Sequence, residues 1–373
     1  MKKKIIVIVG TRPEVIKLIP IYIELQRRGQ FQVQLISTGQ HKEMMTPLFQ
    51  FFNVKPDKDL ALMKSNQTLA ALSAQMFDHL ERLMLDEKPE LVIVQGDTTT
   101  AMVAALTAFY NKIKIAHVEA GLRSFDRQAP FPEEINRRVI SQVADFHFAP
   151  TEKAEQNLRS ESALKVYNVG NSVIDSLMIG RGIVENNLTS YQQKFTGILN
   201  PERPLILITV HRREIFGDRL VVMCDALSNI AATHLDCIFL FPVHLNPNIR
   251  DTVNDKLRNL PNVKLLEPVG YDEMIFLMMQ SRVILTDSGG IQEEAPSFNV
   301  PVIVLRDITE RPEGIAAGCA VLGGTDKEGI VKAFKSVFDD EDKWRAMSQS
   351  FNPYGDGKTS ARVASILEQE LLI

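Results

Sequence analysis

Short apolar segments alternate with amphipathic helical segments along almost the entire chain, and this alternation constrains the fold more than any other feature. Parallel strands need long crossover connections, which are usually helices, so the pattern predicts open parallel sheets and an α/β fold. The strands predicted in the first half are residues 5–9, 33–37, 91–94, 113–118, 146–149 and 166–169. Those predicted in the second half are residues 205–209, 238–241, 263–266, 283–285 and 302–305.

The length of the chain predicts two domains. Its 373 residues exceed what one hydrophobic core usually organises, since most domains hold about 50–200 residues. Between Glu185 and Pro204 the chain becomes polar, and the strand pattern restarts at Leu205. We therefore expect a boundary in this region, and a helix that starts at Asn171 belongs either to the first domain or to the second.

Composition and charge argue against several classes of function. A net charge of −4 and an isoelectric point near 6.0 disfavour nucleic acid as the main partner. No apolar run reaches the roughly 18 residues of a membrane span, and no histidines or cysteines have the spacing of a metal site. Cys224, Cys237 and Cys319 lie in apolar contexts, which predicts buried free thiols in a reducing cytoplasm.

The segment Asp287–Glu294 predicts a phosphate site. It follows an apolar strand, and its Ser-Gly-Gly start would expose unpaired backbone N–H groups at the positive end of a helix that runs to about residue 298. Glu293 and Glu294 could accept hydrogen bonds from sugar or ribose hydroxyls. Ser-Gly-Gly alone could be only a tight turn with a helix cap. With Arg306 and Arg311 just after the next strand, it predicts that a nucleotide diphosphate binds here.

Polar residues follow the other predicted strands, and ligands of parallel sheets bind beyond the carboxyl ends of the strands. Arg12 and Lys17, after the first strand, would face an anion, although ordinary surface charge is the alternative. Asp97 follows the strand at 91–94 and is either a helix cap or a functional acid. These positions predict a second polar site, at the strand ends of the first domain.

Further acids in the first half point to acid–base chemistry. Glu119 stands where a buried strand meets a loop, so it either pairs with Arg123 or has a raised pKa suited to proton transfer. Glu133 and Glu134 begin the next helix, where one of them could be only a partner of the helix dipole. Together with Asp97, these carboxylates are more than capping requires.

Three histidines are candidates for the site. His211, after the strand at 205–209, is a candidate general acid or hydrogen-bond donor to phosphate. His41 is either a ligand contact or a helix cap, and His244 is either structural or functional. No G-x-G-x-x-G follows a strand and no G-x-x-x-x-G-K-[ST] is present, which disfavours NAD-dependent chemistry and an NTPase.

Nine sequence segments, in this order, resemble those of the non-hydrolysing UDP-N-acetylglucosamine 2-epimerases. Each segment alone is weak, but the resemblance runs nearly end to end and the ordered set is specific. The segments are residues 10–14 (GTRPE), 95–100 (QGDTTT), 117–123 (HVEAGLR), 132–137 (PEEINR), 211–214 (HRRE), 242–247 (PVHLNP), 286–296 (TDSGGIQEEAP), 310–312 (ERP) and 352–357 (NPYGDG).

The resemblance implies the glycosyltransferase-B architecture, in which two Rossmann-like domains with parallel sheets face a central cleft. It implies a first domain of residues 1–170 with a crossing C-terminal helix at 358–373, and a UDP-binding domain of residues 171–357. It further implies a homodimer that needs no cofactor. The implied reaction converts UDP-N-acetylglucosamine (UDP-GlcNAc) reversibly to UDP-N-acetylmannosamine (UDP-ManNAc), for cell-surface polysaccharide precursors.

The resemblance also implies roles for individual residues. Catalysis would be carried by Asp97, Glu119, Glu133 and His211. The nucleotide sugar would be held by Arg12, Lys17, Ser288, Gly289, Gly290, Glu294 and Arg311. Many bacterial members are activated by a second UDP-GlcNAc molecule, and the matching residues here are Gln40, His41, Gln67, Arg212 and His244.

Three positions depart from the family pattern. Ile215 stands where Asn or Ser is usual, Val210 where Gly or Ala is usual, and Met274 where an aromatic side chain would stack on uracil.

Several other activities remain open. They are those of a hydrolysing epimerase, a glycosyltransferase with a separate acceptor, a nucleotide-sugar-binding regulator, and a relative acting on an oxidised or diacetamido sugar. The clustered acids favour proton transfer within one sugar.

Overall fold

A computed structural model describes residues 2–40, 42–63, 67–212 and 215–372. The chain forms two compact units, each built on one parallel sheet with helices in its connections. Unit 1 comprises Met1–Ile179 and Gly355–Ile373, and unit 2 comprises Gly180–Tyr354. The predicted α/β class with two Rossmann-like domains is confirmed.

Unit 1 contains a seven-stranded sheet in the order β3-β2-β1-β4-β5-β6-β7. Its strands are β1 (Lys4–Val9), β2 (Gln32–Ser37), β3 (Lys58–Asp59), β4 (Leu91–Gln95), β5 (Lys114–Val118), β6 (Phe146–Ala149) and β7 (Val166–Asn168). Its connecting helices are α1 (Arg12–Arg28), α2 (Lys42–Phe51), α3 (Leu69–Glu87), α4 (Thr99–Tyr110), α5 (Glu133–Val143) and α6 (Glu152–Ser160), and α7 (Ser172–Asn186) begins in this unit.

Unit 2 contains a six-stranded sheet in the order β10-β9-β8-β11-β12-β13. Its strands are β8 (Leu205–Thr209), β9 (Ile238–Pro242), β10 (Val263–Leu266), β11 (Ser281–Thr286), β12 (Val302–Val304) and β13 (Ala320–Leu322). Its helices are α8 (Leu188–Lys194), α9 (Asp218–Thr233), α10 (Pro247–Leu257), α11 (Tyr271–Gln280), α12 (Gly289–Glu294), α13 (Pro312–Ala316), α14 (Lys327–Phe338) and α15 (Glu341–Ser348). A 3-10 helix, Ala295–Phe298, follows α12 directly.

Every predicted strand is present, and two strands were missed. β3 has two residues, both charged and exposed, and only the first residue of β13 is buried. β3 has no apolar residue, and β13 is apolar but only three residues long, which is shorter than the run of about four to eight that marks a buried strand. The helix predicted to run to about residue 298 ends as an α-helix at Glu294, because Pro296 has no N–H for an α-helical hydrogen bond.

Both sheets have the strand order of a Rossmann fold, in which the direction of winding reverses once. The reversal lies between β1 and β4 in unit 1 and between β8 and β11 in unit 2. Loops that leave these strands at their carboxyl ends separate there and leave room for a ligand. The topology therefore singles out the residues after β1, β4, β8 and β11.

The boundary between the units falls inside α7, between Ile179 and Gly180, rather than at residue 170. The first half of α7 belongs to unit 1, where Leu177 is fully buried and the Ser176 hydroxyl donates to the Ile16 carbonyl. The Asp175 carboxylate accepts hydrogen bonds from the backbone N–H groups of Thr359 (3.2 Å) and Ser360 (2.7 Å). These two residues begin the last helix, α16 (Thr359–Leu372), which is part of unit 1.

Candidate functional site

Glu14 holds together the two loops at the winding reversal of unit 1. Its carboxylate accepts hydrogen bonds from the backbone N–H groups of Gly10 (2.9 Å) and Thr11 (2.7 Å) after β1, and from the Thr98 hydroxyl (2.7 Å) after β4. Complete burial raises the pKa of Glu14, and these hydrogen bonds oppose the rise. Gly10 has no room for a side chain, because a Cβ there would overlap the Thr100 hydroxyl. The loops that carry Arg12 and Asp97 are thus fixed to each other.

Glu119 lies at the end of β5 in contact with a lysine. Its Oε1 is 2.5 Å from the Lys17 Nζ, and its Oε2 accepts a hydrogen bond from the Gln95 side-chain amide. The side chain is only 8 % exposed, and the backbone has a φ of +59°, which is uncommon outside glycine. Such strained residues concentrate at functional sites. Arg123 is not its partner, since that guanidinium pairs with Glu161.

Asp97 is not a helix cap, because the hydroxyl of Thr98 caps α4 by accepting from the Ala101 N–H. The Asp97 carboxylate pairs with the Arg137 guanidinium, and its backbone carbonyl accepts from the Asn136 amide (2.8 Å). Burial raises the pKa of Asp97, the charge of Arg137 opposes this, and the negative charge of Glu119 adds to it. Asp97 therefore holds a proton more readily than an exposed aspartate.

Glu133 and Glu134 have different surroundings, although they are adjacent at the start of α5. Glu134 is fully buried, bonds to Arg137 and Arg138, and accepts from the Ser124 N–H (2.9 Å). The Glu133 Oε2 is buried and has no hydrogen-bond partner in the described part of the chain. An unsatisfied buried carboxylate oxygen is costly in a purely structural role. Glu134 is thus the structural acid, and Glu133 is the candidate for chemistry.

Two residues of this site were not singled out from the sequence, namely Arg137 and His117. The Nε2 of His117, which is fully buried, lies 2.7 Å from the Gly96 carbonyl. Burial lowers the pKa of His117 to about 3, so the ring is neutral and donates this hydrogen bond. It holds the loop that carries Asp97. The only sequence signal for either residue is its place within a segment that also holds a predicted acid.

In unit 2, Asp287 joins the loops after β8 and β11 at the winding reversal. Its carboxylate is fully buried and accepts from the backbone N–H groups of His211 (3.0 Å) and Arg212 (2.8 Å). The His211 Nδ1 lies 3.3 Å from the same carboxylate, and its side chain is 49 % exposed. The predicted His211 is thus fixed through its backbone, while its ring stays accessible.

Two guanidinium groups lie beside the start of α12. A Cβ built on Gly289 would be 3.7 Å from the Nη2 atoms of both Arg212 and Arg311. Gly289 is the first residue of α12 and Ser288 precedes it as the N-cap, so backbone N–H groups and both arginines converge here. This arrangement suits a diphosphate. The expected partner Arg306 is not among the atoms nearest to Gly289, and Arg212 takes that place.

Both acids of α12 are buried. Glu293 pairs with the Arg311 guanidinium and is 5 % exposed at its side chain. Glu294 is the last residue of α12, and both acids stay candidates for binding hydroxyl groups. Among the described residues, no group of three or more His, Cys, Asp or Glu side chains could hold a metal ion.

Comparison with known proteins shows the family. A sequence model described as UDP-N-acetylglucosamine 2-epimerase matches residues 23–368. The chain belongs to the UDP-N-acetylglucosamine 2-epimerase family. It is 42% identical over 374 residues to the UDP-N-acetylglucosamine 2-epimerase of Campylobacter jejuni, covering 98% of both chains. It is also 42% identical over 369 residues to that of Escherichia coli K12, again covering 98% of both.

Solved structures of the epimerase family agree with this result. The crystal structure of UDP-GlcNAc 2-epimerase from Neisseria meningitidis bound to UDP-GlcNAc has a TM-score of 0.89 and 40% identity, covering 98% of this chain and 100% of that one. A co-structure of MnaA from S. aureus with UDP has a TM-score of 0.87 and 38% identity, covering 100% of this chain and 98% of that one.

Four of the five residues predicted to bind a second UDP-GlcNAc are among the described residues. In unit 1, Gln40 accepts from the Thr100 hydroxyl (2.8 Å) and the Gln67 amide donates to Gln75 (2.9 Å). In unit 2, the His244 Nδ1 accepts from the Asn246 N–H (3.1 Å), and Arg212 lies beside Gly289. His41 is outside the described residues.

The departures from the family pattern have different settings. Val210 and Ile215, 2% and 5% exposed, belong to the hydrophobic core of unit 2. Met274 is half-buried on α11. Apolar burial therefore anchors the chain at Val210 and at Ile215.

Proposed function

We propose that this chain catalyses the reversible epimerisation of UDP-GlcNAc to UDP-ManNAc at carbon 2, in the supply of cell-surface polysaccharide precursors. The observation that carries the proposal is the pair of acids Asp97, after β4, and Glu119, after the neighbouring β5, in a chain that matches this family over almost its full length. Glu119 and Asp97 interact electrostatically there. A protein that only bound a nucleotide sugar would not need these carboxylates.

The chemistry proceeds by elimination and re-addition of UDP. The hydrogen on carbon 2 is not acidic, because no carbonyl group adjoins that carbon. A carboxylate removes this proton while the bond between carbon 1 and the diphosphate oxygen breaks, and UDP leaves with the electron pair. A double bond then joins carbons 1 and 2. Protonation of carbon 2 on the opposite face and return of the diphosphate oxygen to carbon 1 give the epimer.

The reaction needs acid–base groups and groups that stabilise the departing UDP. Asp97, Glu119 and Glu133 are the proposed acid–base groups, and the raised pKa of Asp97 suits a group that holds and releases a proton. Arg311, His211 and the Ser288–Gly290 segment of unit 2 stabilise the charge on departing UDP, as do Arg12 and Lys17. Glu294 binds a hydroxyl group of the nucleotide sugar.

Arg137→Gln is expected to shift the limb of the pH–rate profile that depends on Asp97 to higher pH. Arg137 is the positive charge that opposes the raised pKa of Asp97, so its removal leaves burial and the charge of Glu119 to raise that pKa further. The measurement is kcat/KM against pH. Arg159→Gln, which removes an exposed arginine paired with Glu155, is the control with an unshifted limb. An unchanged profile in Arg137→Gln would contradict the role of Asp97.

The reaction itself is tested with UDP-GlcNAc in deuterated water. The expected result is deuterium at carbon 2 in both UDP-sugars. In both of these molecules the sugar is attached to UDP at the end of the reaction. Release of free N-acetylmannosamine and UDP would instead identify a hydrolysing epimerase. Absence of label would indicate transfer to an acceptor or binding alone.

We further propose regulation by substrate, dimeric assembly and a cytoplasmic location. A second UDP-GlcNAc would bind at Gln40, His41, Gln67, Arg212 and His244, and a sigmoidal dependence of rate on UDP-GlcNAc tests this. Light scattering tests the homodimer. The three cysteines are buried free thiols, which suits a reducing compartment, and no helix in the described ranges is long and apolar enough to cross a membrane.

A further inference from the structure

The sequence segment at 352–357 has no part in the chemistry above, yet its first residues bond to the helix that begins the phosphate site. The Asn352 side-chain amide donates to the Glu293 carbonyl (3.0 Å) and to the Ser297 hydroxyl (2.7 Å). The Asn352 side-chain oxygen accepts from the Tyr354 N–H (2.9 Å). Asn352 is thereby fastened to α12 and the 3-10 helix that follows it.

Tyr354 bonds to the second segment of the same site. Its hydroxyl donates to the Arg311 carbonyl (3.1 Å) and accepts from the Gly314 N–H (2.9 Å). One hydroxyl can make both bonds, since it has one proton and two lone pairs. The residue is only 2 % exposed, and burial raises the pKa of Tyr354, so the proton is retained. A Cβ at Gly314 would lie 2.8 Å from this hydroxyl, so only glycine permits the approach.

The two anchored backbones belong to the partners of one ion pair. Asn352 holds the backbone of Glu293, Tyr354 holds the backbone of Arg311, and the side chains of Glu293 and Arg311 pair with each other. The guanidinium of Arg311 also lies beside Gly289 at the start of α12. The Arg311 guanidinium is therefore positioned in two ways, through the backbone of Arg311 itself and through the backbone of its partner Glu293.

We propose that Asn352 and Tyr354 are positioning residues that hold Arg311 ready for the diphosphate of the nucleotide sugar. The inference rests on the proposed function only in taking a nucleoside diphosphate as the ligand. A donor that is already in place loses little conformational freedom when the anion binds, so its contribution to affinity is larger. Neither Asn352 nor Tyr354 needs to touch the ligand to have this effect.

The test compares Tyr354→Phe with Tyr167→Phe, which removes a hydroxyl that donates to Glu370 in unit 1 (2.7 Å). Inhibition constants are measured for UDP and for uridine, which lacks the phosphates. Tyr354→Phe removes both hydrogen bonds of the hydroxyl and is expected to weaken UDP binding by about tenfold, while uridine binding stays within about twofold. Tyr167→Phe should change neither constant.

Asn352→Asp is the second variant. It keeps the oxygen that accepts from the Tyr354 N–H but removes the donor to the Glu293 carbonyl. We therefore expect it to weaken the binding of UDP more than the binding of uridine. Equal weakening of UDP and uridine, or a lowered melting temperature with unchanged UDP binding, would overturn the proposal.

Arg311→Gln separates this inference from the proposed function. If Arg311→Gln weakens UDP binding and Tyr354→Phe does not, the proposed positioning by Asn352 and Tyr354 is wrong, but the assignment of the phosphate site is supported. If Arg311→Gln leaves UDP binding unchanged, the assignment of the phosphate site itself is wrong, and the positioning role falls with it.

Discussion

Glu119→Gln is expected to lower turnover by at least about two orders of magnitude while UDP binding is retained. The amide has nearly the same shape as the carboxylate but cannot take up a proton. Glu119 accepts hydrogen bonds from Lys17 and Gln95, and the amide oxygen of the variant can keep one of these two contacts. The measurements are kcat for UDP-GlcNAc and the dissociation constant of UDP.

Glu161→Gln is the matched control for this variant. Glu161 is a partly buried acid of unit 1 that pairs with Arg123, as Glu119 pairs with Lys17, and it has no role in the proposed chemistry. Its turnover should stay close to that of the unaltered protein. Near-normal turnover in Glu119→Gln would remove Glu119 from the mechanism, and loss of UDP binding would show that the substitution disturbs more than proton transfer.

Arg311→Gln is expected to weaken UDP by about 10–100-fold while uridine binding changes little. Hydrogen bonds from a guanidinium to phosphate are charge-assisted and are each stronger than neutral ones, at about 1.5–3 kcal/mol. Uridine carries no phosphate and would not meet this group. Calorimetric titration with both ligands measures the difference.

The same substitution also removes the partner of a buried acid, so stability needs its own control. Glu293 is 5 % exposed at its side chain, and in this variant its carboxylate loses the paired Arg311 cation. The melting temperature of Arg311→Gln should therefore fall. The double variant Arg311→Gln with Glu293→Gln should recover much of that loss without recovering UDP affinity. Recovery of both would mean that Arg311 acts through stability alone.

The location of the site along the chain could be predicted from the sequence, because each polar segment follows an apolar run long enough to mark a strand. Which side chains meet could not, since the partners are far apart in sequence. Lys17 meets Glu119, and Arg137 meets Asp97, across several intervening elements. Arg123 was as plausible a partner for Glu119 on spacing alone. The contacts follow from strand order, which local patterns do not specify.

The boundary inside α7 shows a second limit of sequence patterns. An amphipathic helix has the same periodicity whichever neighbouring sheet its apolar face covers, so residues 171–179 could be assigned to either side. In the folded chain Leu177 is buried, and Asp175 accepts hydrogen bonds from the backbone N–H groups that begin α16. β3 illustrates the converse, since two charged residues form a strand only by pairing with β2.

Unit 1 is assembled from two stretches of chain, and the second is translated only after all of unit 2. Leu367 and Leu371 of α16 are buried in unit 1, and Arg28 and Lys165 pair with Glu368 and Glu370 of that helix. During synthesis, the apolar surface of unit 1 that α16 covers therefore stays exposed until all of unit 2 has left the ribosome. Vectorial folding thus favours completion of unit 2 before unit 1 reaches its final stability.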